Sequence, residues 1–138
     1  MGAMLVVSKI KEIAKGAPVV LTGDFNVDQT DEIYGIFTKS GLLKDSYECS
    51  RLRFAENGTF NSFDSSLKTD SRIDHVFVSP EFDVERYGVL TDTYWTPQSG
   101  VGEQKGKDAP KEINFKKHER RTISDHYPVM VKMSYKKK

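Results

Sequence analysis

The sequence has few of the features that assign a chain to a specialised class. Its one cysteine, Cys49, excludes a disulfide within the chain and is expected to be an ordinary core or boundary residue. No stretch approaches the roughly 18 apolar residues that a membrane-spanning helix requires. With 21 basic and 20 acidic residues the formal net charge is +1, so no overall field favours nucleic acid. The 138 residues, 37% hydrophobic, predict a single globular domain over residues 1–138.

The ends of the chain and one internal segment carry little information about location. The N-terminus lacks the basic start and cleavage site of a signal peptide, and Met1-Gly2-Ala3 is typical of a cloning remnant. Localisation therefore stays open. Residues 105–121 and the final three lysines are locally basic, which is typical of a solvated loop and tail. A nucleic-acid-binding domain remains an alternative, and it would show a steep salt dependence of binding.

The first part of the chain predicts a helix, a strand and a second helix. A helix over residues 5–15 is indicated by Val6, Ile10 and Ile13 at helical spacing. Residues 18–22 are continuously apolar and predict a strand buried on both faces.

The second helix is predicted to begin with a cap at Asp28 or Thr30 and to end at Gly41. Its inner stripe consists of three apolar residues: Ile33, Ile36 and Phe37.

The rest of the chain predicts strands separated by loops. Residues 42–53 are ambiguous, with room for a short helix, and Asn57-Gly58 indicates a turn. The predicted segments that follow are a loop over 61–72, a strand over 73–79, a neighbouring antiparallel strand over 82–91, a long loop over 96–122 and a last strand over 127–135. The fold class is therefore α/β (α+β), a mixed, largely antiparallel sheet with helices on one face.

Three short polar clusters lie at the ends of predicted strands: Gly23-Asp24-Phe25-Asn26, Arg72-Ile73-Asp74-His75 and Ser124-Asp125-His126. Each alone is also compatible with a turn, a surface ion pair or a strand start. Together they supply three carboxylates, the ligands that Mg²⁺ requires. A carboxylate such as Asp74 beside His126 would keep the imidazole protonated, so that it can stabilise negative charge. This combination suits attack of water on a phosphate.

The same three clusters, in this order, resemble the C-terminal signature of the endonuclease/exonuclease/phosphatase family. That family includes DNase I-like nucleases, deadenylases, inositol polyphosphate phosphatases and bacterial sphingomyelinases. The resemblance spans residues 5–133 and implies half of a four-layer DNase I-like sandwich. It also implies a hydrolase that cleaves phosphodiesters or phosphomonoesters with Mg²⁺ or Mn²⁺.

The resemblance further implies roles for individual residues. Asp24 and Asn26 would orient the attacking water and contact the phosphate, with Asp24 also on the metal side. Asp74 would pair with His126, which would bind the phosphate and stabilise the transition state. Two further sets complete the candidates: Asp125 as a metal ligand, and Phe60 and Asn61 as substrate contacts. Two other histidines receive no role, since strand alternation points His75 to the core and His118 lies in the long loop.

In the family, an N-terminal half supplies a further Asn and the principal metal-binding Glu, and nothing in this sequence matches them. The resemblance therefore implies an incomplete metal site and little or no turnover by the chain alone. A lone half would also expose the inner face of its sheet, which predicts a homodimer, pairing with the missing half, or a loosened core. A non-catalytic folding or partner-binding module is a further alternative. The loops that would select among nucleic acid, inositol phosphate and phospholipid substrates, 59–71 and 96–122, show no identifying pattern.

Overall fold

The structure, a computed structural model, describes residues 2–54, 57–99 and 116–137. Its elements in chain order are α1 (Gly2–Ala14), β1 (Val20–Asp24), α2 (Glu32–Thr38), β2 (Lys44–Asp45), α3 (Ser46–Cys49), β3 (Leu52–Phe54), β4 (Asp74–Val78), β5 (Phe82–Val89), β6 (Thr93–Pro97), β7 (His118–Thr122) and β8 (Val129–Tyr135). Among the described residues, none of these helices is long and apolar enough to cross a membrane.

The strands form three sheets instead of the one predicted. The first has the order β1-β4-β2 and is antiparallel. The second has the order β3-β5-β8, with β3 parallel and β8 antiparallel to β5. The third is the antiparallel pair β6-β7. The predicted mixed, largely antiparallel α/β fold is thus confirmed.

The prediction that residues 82–91 form a strand beside β4 is wrong in its pairing. The chain turns at Ser79-Pro80-Glu81, where the Phe82 N–H donates to the Ser79 carbonyl at 3.2 Å. This turn takes β5 out of the first sheet and into the second. There Val84, Tyr87 and Val89 are buried, so the alternation seen in the sequence reports a different sheet from the one expected.

Two buried clusters form the core of the described structure. In the first, Phe37 of α2, Leu43 and Phe77 of β4 are packed against partly buried residues of α1 and β1. The second is centred on Tyr87 and Val89 of β5 with Tyr127. The partly buried Cys49 lies beside the first sheet, and burial raises the pKa of its thiol, in keeping with a boundary residue.

Strand β1 is not buried on both faces, contrary to the prediction. Val20 is 44% exposed, Leu21 is half-buried, and the remaining residues of the strand are exposed. Among the described residues β1 is one of the two edge strands of its sheet, and only Leu21 of the β1 residues reaches the first core cluster. An apolar run alone cannot distinguish an edge strand from a central one.

Helix α2 begins later than predicted because Asp31 caps it. The Asp31 carboxylate accepts the Ile33 N–H at 2.8 Å, whereas Asp28 accepts the Thr30 N–H in the turn that precedes. Of the predicted inner stripe, Phe37 is buried and Ile36 half-buried, but Ile33 is 42% exposed. The helix ends at Thr38, and Gly41 adopts a left-handed φ of 73° after it.

The predicted long loop over 96–122 is only partly a loop. Its ends belong to β6 and β7, which pair from Thr93↔Thr122 to Pro97↔His118. The intervening residues 100–115 lie outside the described residues. Strand β7 was missed because its sequence, His-Glu-Arg-Arg-Thr, is polar and largely exposed, so it shows no apolar alternation. His118 is exposed, as expected.

Gly58 lies where two backbone segments approach most closely. A Cβ at this position would lie 1.8 Å from the Thr69 hydroxyl oxygen and 2.5 Å from the Ser71 carbonyl oxygen. The Thr69 side chain can rotate, but the Ser71 carbonyl is backbone that accepts the Thr59 N–H. We expect Gly58→Ala to lower the free energy of unfolding by about 1–3 kcal/mol through overpacking, measured by urea unfolding.

Gly35 in α2 provides a matched control for this substitution. A Cβ there would meet only the flexible Lys39 side chain, at 3.8 Å. Gly35→Ala should therefore stabilise the helix by up to about 1 kcal/mol. Equal effects of the two substitutions would contradict the steric account of Gly58.

Candidate active site

Three chain segments meet at one edge of the first sheet. Asp24 ends β1 and Asp74 begins β4, and the two residues are direct cross-strand partners. Because directly opposed residues project to the same face, both carboxylates lie on one side of the sheet. The segment before β8 brings His126 to the same place.

His126 lies between the two carboxylates. Its Nδ1 is 2.8 Å from Asp74 Oδ2, within hydrogen-bonding distance. Its Nε2 is 3.8 Å from Asp24 Oδ2. The side chains of Asp24, Asp74 and His126 are 38%, 23% and 26% exposed, so the group is open to solvent on one side and can be reached by a ligand.

Phe25 explains why the polar residues on either side of it face outward. Its ring packs in T-shaped contacts against Phe37 at 5.3 Å and Phe77 at 5.6 Å. The Phe25 N–H also donates to the Ile73 carbonyl at 2.9 Å. With this ring anchored in the core, Asp24 and Asn26 are exposed.

Asn26 completes the turn that follows β1. Its φ of 53° is left-handed, a conformation that Asn tolerates better than most residues. Its N–H donates to Asp24 Oδ1 at 2.9 Å. One oxygen of Asp24 is thereby fixed by the backbone, and the second faces His126.

Phe60 lies beside His126, and its predicted contact with the substrate stays a prediction. It forms a backbone bridge with His126, and the two rings make a T-shaped contact at 5.2 Å. Its side chain is 40% exposed, so part of the ring is available on the open side of the site.

Asn61 does not face the open side of the site, so the prediction that it contacts the substrate is wrong. It is fully buried. Its amide donates to the Ser124 carbonyl at 2.9 Å and accepts the Phe63 N–H at 2.7 Å. Its own N–H donates to the Asp125 carbonyl at 2.7 Å. Asn61 therefore holds the backbone that leads into His126.

Asp125 is half-buried, and its side chain is outside the group that Asp24, Asp74 and His126 form. Its carboxylate accepts from the Ser124 hydroxyl at 3.4 Å. Its negative charge is nevertheless close enough to act on His126. The predicted role of Asp125 as a metal ligand stays a prediction.

The surrounding carboxylates change the titration of His126. The hydrogen bond to Asp74 raises the pKa of His126 above its ordinary value of 6.5, with burial opposing and the charges of Asp74, Asp24 and Asp125 reinforcing the rise. The imidazole is therefore held in its protonated form to higher pH. With Nδ1 committed to Asp74, the proton on Nε2 is the one that an anion would meet.

We expect the free energy of unfolding to fall as the pH rises through the raised pKa of His126. The folded chain binds this proton more tightly than the unfolded chain, so the stabilisation is complete below the ordinary value of 6.5 and is lost above the folded-state pKa. Urea unfolding at stepped pH values measures it. The decline should be smaller in His126→Gln and unchanged in His118→Gln; an unaltered decline in His126→Gln would contradict this assignment.

His75 has the structural role predicted from strand alternation. It is 3% exposed and its ring contacts Phe25, Tyr34 and Phe77. Its Nε2 is 2.8 Å from the Val27 carbonyl oxygen. Successive residues of a strand point to opposite faces. Since His75 points into the core, the neighbouring Asp74 faces the site on the other side of β4.

The alternative interpretation of the Arg72-Ile73-Asp74-His75 cluster as a surface ion pair does not describe Arg72, which is buried and pairs with Asp45. Arg72 is 4% exposed, and its guanidinium donates to Asp45 Oδ2 at 3.2 Å. It also lies over the Tyr47 ring at 3.5 Å. No sequence pattern indicates this pair, since Asp45 is distant from Arg72 in the chain and lies in a segment of ambiguous periodicity.

The residues at this edge fit a hard divalent cation in the kind of donor they offer. Asp24, Asp74 and His126 each present a ligand atom within 4.8 Å of the others. Carboxylate oxygens suit Mg²⁺, which keeps several of its waters and needs few protein ligands. A histidine held protonated by Asp74 is a poor metal ligand, because metal binding requires the neutral ring. The cation would therefore be held by carboxylates.

Comparisons with known proteins identify the family of this chain. The model of the Endonuclease/Exonuclease/phosphatase family matches residues 3–126. A search of curated proteins gave no match. Among solved structures, an endonuclease/exonuclease/phosphatase family protein from Bacteroides thetaiotaomicron is 50% identical, with a TM-score of 0.81 over 95% of this chain and 43% of its own.

Two further structures are similar. A mannosyl-6-phosphatase from Bacteroides thetaiotaomicron is 48% identical, with a TM-score of 0.81 over 96% of this chain and 44% of its own. A Bacteroides vulgatus protein at 24% identity and a TM-score of 0.66, over 97% of this chain and 42% of its own, shares the fold. The chain thus spans less than half the length of each. Since the family model matches most of the chain, the chain belongs to the endonuclease/exonuclease/phosphatase family.

Proposed function

We propose that this chain carries the histidine side of the active site of a metal-dependent hydrolase that cleaves phosphate esters by attack of water on phosphorus. The observation that carries the proposal is His126, hydrogen-bonded through Nδ1 to Asp74 at 2.8 Å with Nε2 facing Asp24. Among phosphodiesters and phosphomonoesters, a sugar phosphomonoester is favoured. The support is the 48% identity to a mannosyl-6-phosphatase.

In this proposal, His126 binds the phosphate. The imidazolium donates a hydrogen bond from Nε2 to a phosphate oxygen and stabilises the charge that develops there. Asp74 fixes the tautomer and the orientation of the ring through Nδ1. The proposed effect of His126 grows as the oxygen becomes more negative, so it favours the transition state over the bound substrate.

Asp24 and Asn26 would act on the attacking water. Asp24 Oδ1 already accepts the Asn26 N–H at 2.9 Å, which fixes the carboxylate in one orientation. The other oxygen, Oδ2, lies 3.8 Å from His126 Nε2 and would accept a hydrogen bond that orients the attacking water at the open side of the site. Asn26 is exposed beside it and would contact either the water or the phosphate.

A divalent cation, Mg²⁺ or Mn²⁺, would be held by Asp24 and Asp125, and it would supply Lewis-acid stabilisation of the phosphate charge. For Asp125 this requires its carboxylate to turn from Ser124, whose hydroxyl is 3.4 Å away. We propose that further ligands come from residues outside this chain, because it spans only 43% and 44% of the length of the two relatives that are 50% and 48% identical to it.

The test is hydrolysis of mannose 6-phosphate and of an aryl phosphodiester with Mg²⁺ and with Mn²⁺. It is carried out on the chain alone and on the chain mixed with the part of the mannosyl-6-phosphatase that the chain does not cover. We expect little turnover alone, and metal-dependent release of phosphate from mannose 6-phosphate in the mixture, lost in Asp24→Ala. Turnover unaffected by Asp24→Ala would overturn the proposed site. Strong turnover by the chain alone would overturn the incomplete-site proposal.

The proposed partner surface is the apolar groove between α1 and β1. Ile13 is 75% exposed, Leu5 60% and Val20 44%, a contiguous set of the kind that usually binds a partner. We expect sedimentation velocity to show self-association that rises with concentration. Ile13→Lys should reduce it, whereas the control Lys11→Glu on another face of α1 should not. A compact monomer at high concentration would contradict this proposal.

A further inference from the structure

Thr59 connects the two segments that carry the Asp74–His126 pair. The residue is fully buried. Its hydroxyl oxygen accepts the N–H of Ile73 at 3.0 Å and the N–H of Asp74 at 3.1 Å. A hydroxyl has two lone pairs and can accept both bonds, so one side-chain atom holds the backbone at the start of β4.

The main chain of Thr59 holds the other segment. Its carbonyl oxygen accepts the Tyr127 N–H at 2.7 Å, and the next residue, Phe60, bridges His126. The N–H of Thr59 donates to the Ser71 carbonyl at 3.2 Å. The backbone of Asp74 and the backbone beside His126 are therefore both bonded to a single residue.

We propose that Thr59 is a positioning residue that sets the hydrogen bond between Asp74 and His126. This inference rests on the proposed function, in which that hydrogen bond orients the phosphate-binding ring. A charge-assisted bond of this kind depends steeply on geometry. Side chains of a working site need support that holds them to within about 0.5 Å. Thr59 reaches both partners from a buried position, and it touches neither reacting group itself.

Each variant that tests the proposal replaces or removes a single non-hydrogen atom of one wild-type side chain. Thr59→Val keeps the shape of the side chain and removes the acceptor, which leaves the Ile73 and Asp74 N–H groups buried without it. Thr59→Ser keeps the acceptor. Ser79→Ala is the matched control, because the buried Ser79 hydroxyl accepts the Val19 N–H at 2.9 Å at the far end of β4.

The readout is the downfield resonance of the His126 Nδ1 proton, recorded by NMR at one fixed pH and low temperature on the metal-free chain. We expect this resonance to shift upfield or to exchange away in Thr59→Val. It should stay at its wild-type position in Thr59→Ser and in Ser79→Ala. Amide exchange at Ile73 and Asp74 should accelerate in Thr59→Val alone.

A purely structural role predicts a different pattern. Thr59→Val and Ser79→Ala would then both lower the unfolding temperature, and both would keep the His126 resonance; that result would overturn the proposal. If Thr59→Val yields too little folded protein, Thr59→Cys replaces it with the same two outcomes, since a thiol is a weak acceptor. The readout needs no turnover, so a shifted resonance in Thr59→Val together with a reconstituted mixture that releases no phosphate would refute the proposed function and leave the positioning role standing.

Discussion

Replacing Arg72 with alanine is expected to lower the free energy of unfolding by about 3–5 kcal/mol, the cost of leaving a buried charge without its partner. The side chains of Arg72 and Asp45 are 5% and 2% exposed. Asp45 is further fixed by the Tyr34 hydroxyl, which donates to the same oxygen at 2.7 Å. Urea unfolding followed by circular dichroism measures the change.

The surface pair Arg51–Asp83 is the matched control. Arg51 is 66% exposed and Asp83 24%, so Arg51→Ala should change the free energy of unfolding by no more than about 1 kcal/mol. The double variant Arg72→Met/Asp45→Asn should recover part of the loss, because it removes both charges and leaves an amide oxygen that can accept the Tyr47 N–H at the start of α3, as the Asp45 carboxylate does. Equal losses in the free energy of unfolding in Arg72→Ala and Arg51→Ala would show that burial of the Arg72–Asp45 pair does not determine its contribution to stability.

The second large effect is expected at His126. In the reconstituted mixture described above, His126→Ala should lower the turnover of mannose 6-phosphate by about 10³-fold, typical of removing one donor to a developing oxyanion. The KM should change much less, since the proposed bond strengthens mainly in the transition state. Steady-state kinetics of phosphate release at saturating Mg²⁺ measures both constants.

Asp74→Asn provides a second, independent test of the same pair. The amide cannot hold His126 protonated as a carboxylate does, so the loss should be smaller near neutral pH than in His126→Ala and should deepen as the pH rises. His118→Ala, in an exposed strand, should leave turnover unchanged. A fall in turnover of less than tenfold in His126→Ala would show that the histidine does not contact the reacting phosphate.

The site was easier to predict from the sequence than the sheets. Asp24, Asp74 and His126 each lie in a short motif at the end of a strand, and the order of these motifs carried the family resemblance. No comparable motif in the sequence indicates which strands pair with each other. The alternation of residues 82–91 reports that a face is buried but not which strand lies beside it, and β5 pairs with β3 and β8 instead of β4.

Contacts between distant residues account for what the sequence missed. Arg72 and Asp45 are 27 positions apart, and neither lies in a pattern that announces a buried ion pair. Asn61 was predicted to contact the substrate and Thr59 received no role of its own, because a buried amide or hydroxyl that holds backbone groups has no characteristic spacing in the sequence. The residues proposed to act on a ligand could thus be recognised in the sequence, whereas the buried residues that bond to their backbone could not.

The packing of Phe25 determines how substitutions in the core affect the candidate site. The turn that carries Asp24 and Asn26 is fastened by one aromatic ring to Phe37 and Phe77 in the interior. Substitutions at Phe37 or Phe77 should therefore shift that turn and change the position of Asp24 relative to His126 together with the stability of the fold. Variants selected at Phe37 for tolerance to heat should, as a by-product, differ in the geometry of the candidate site, so that stability and site geometry evolve together.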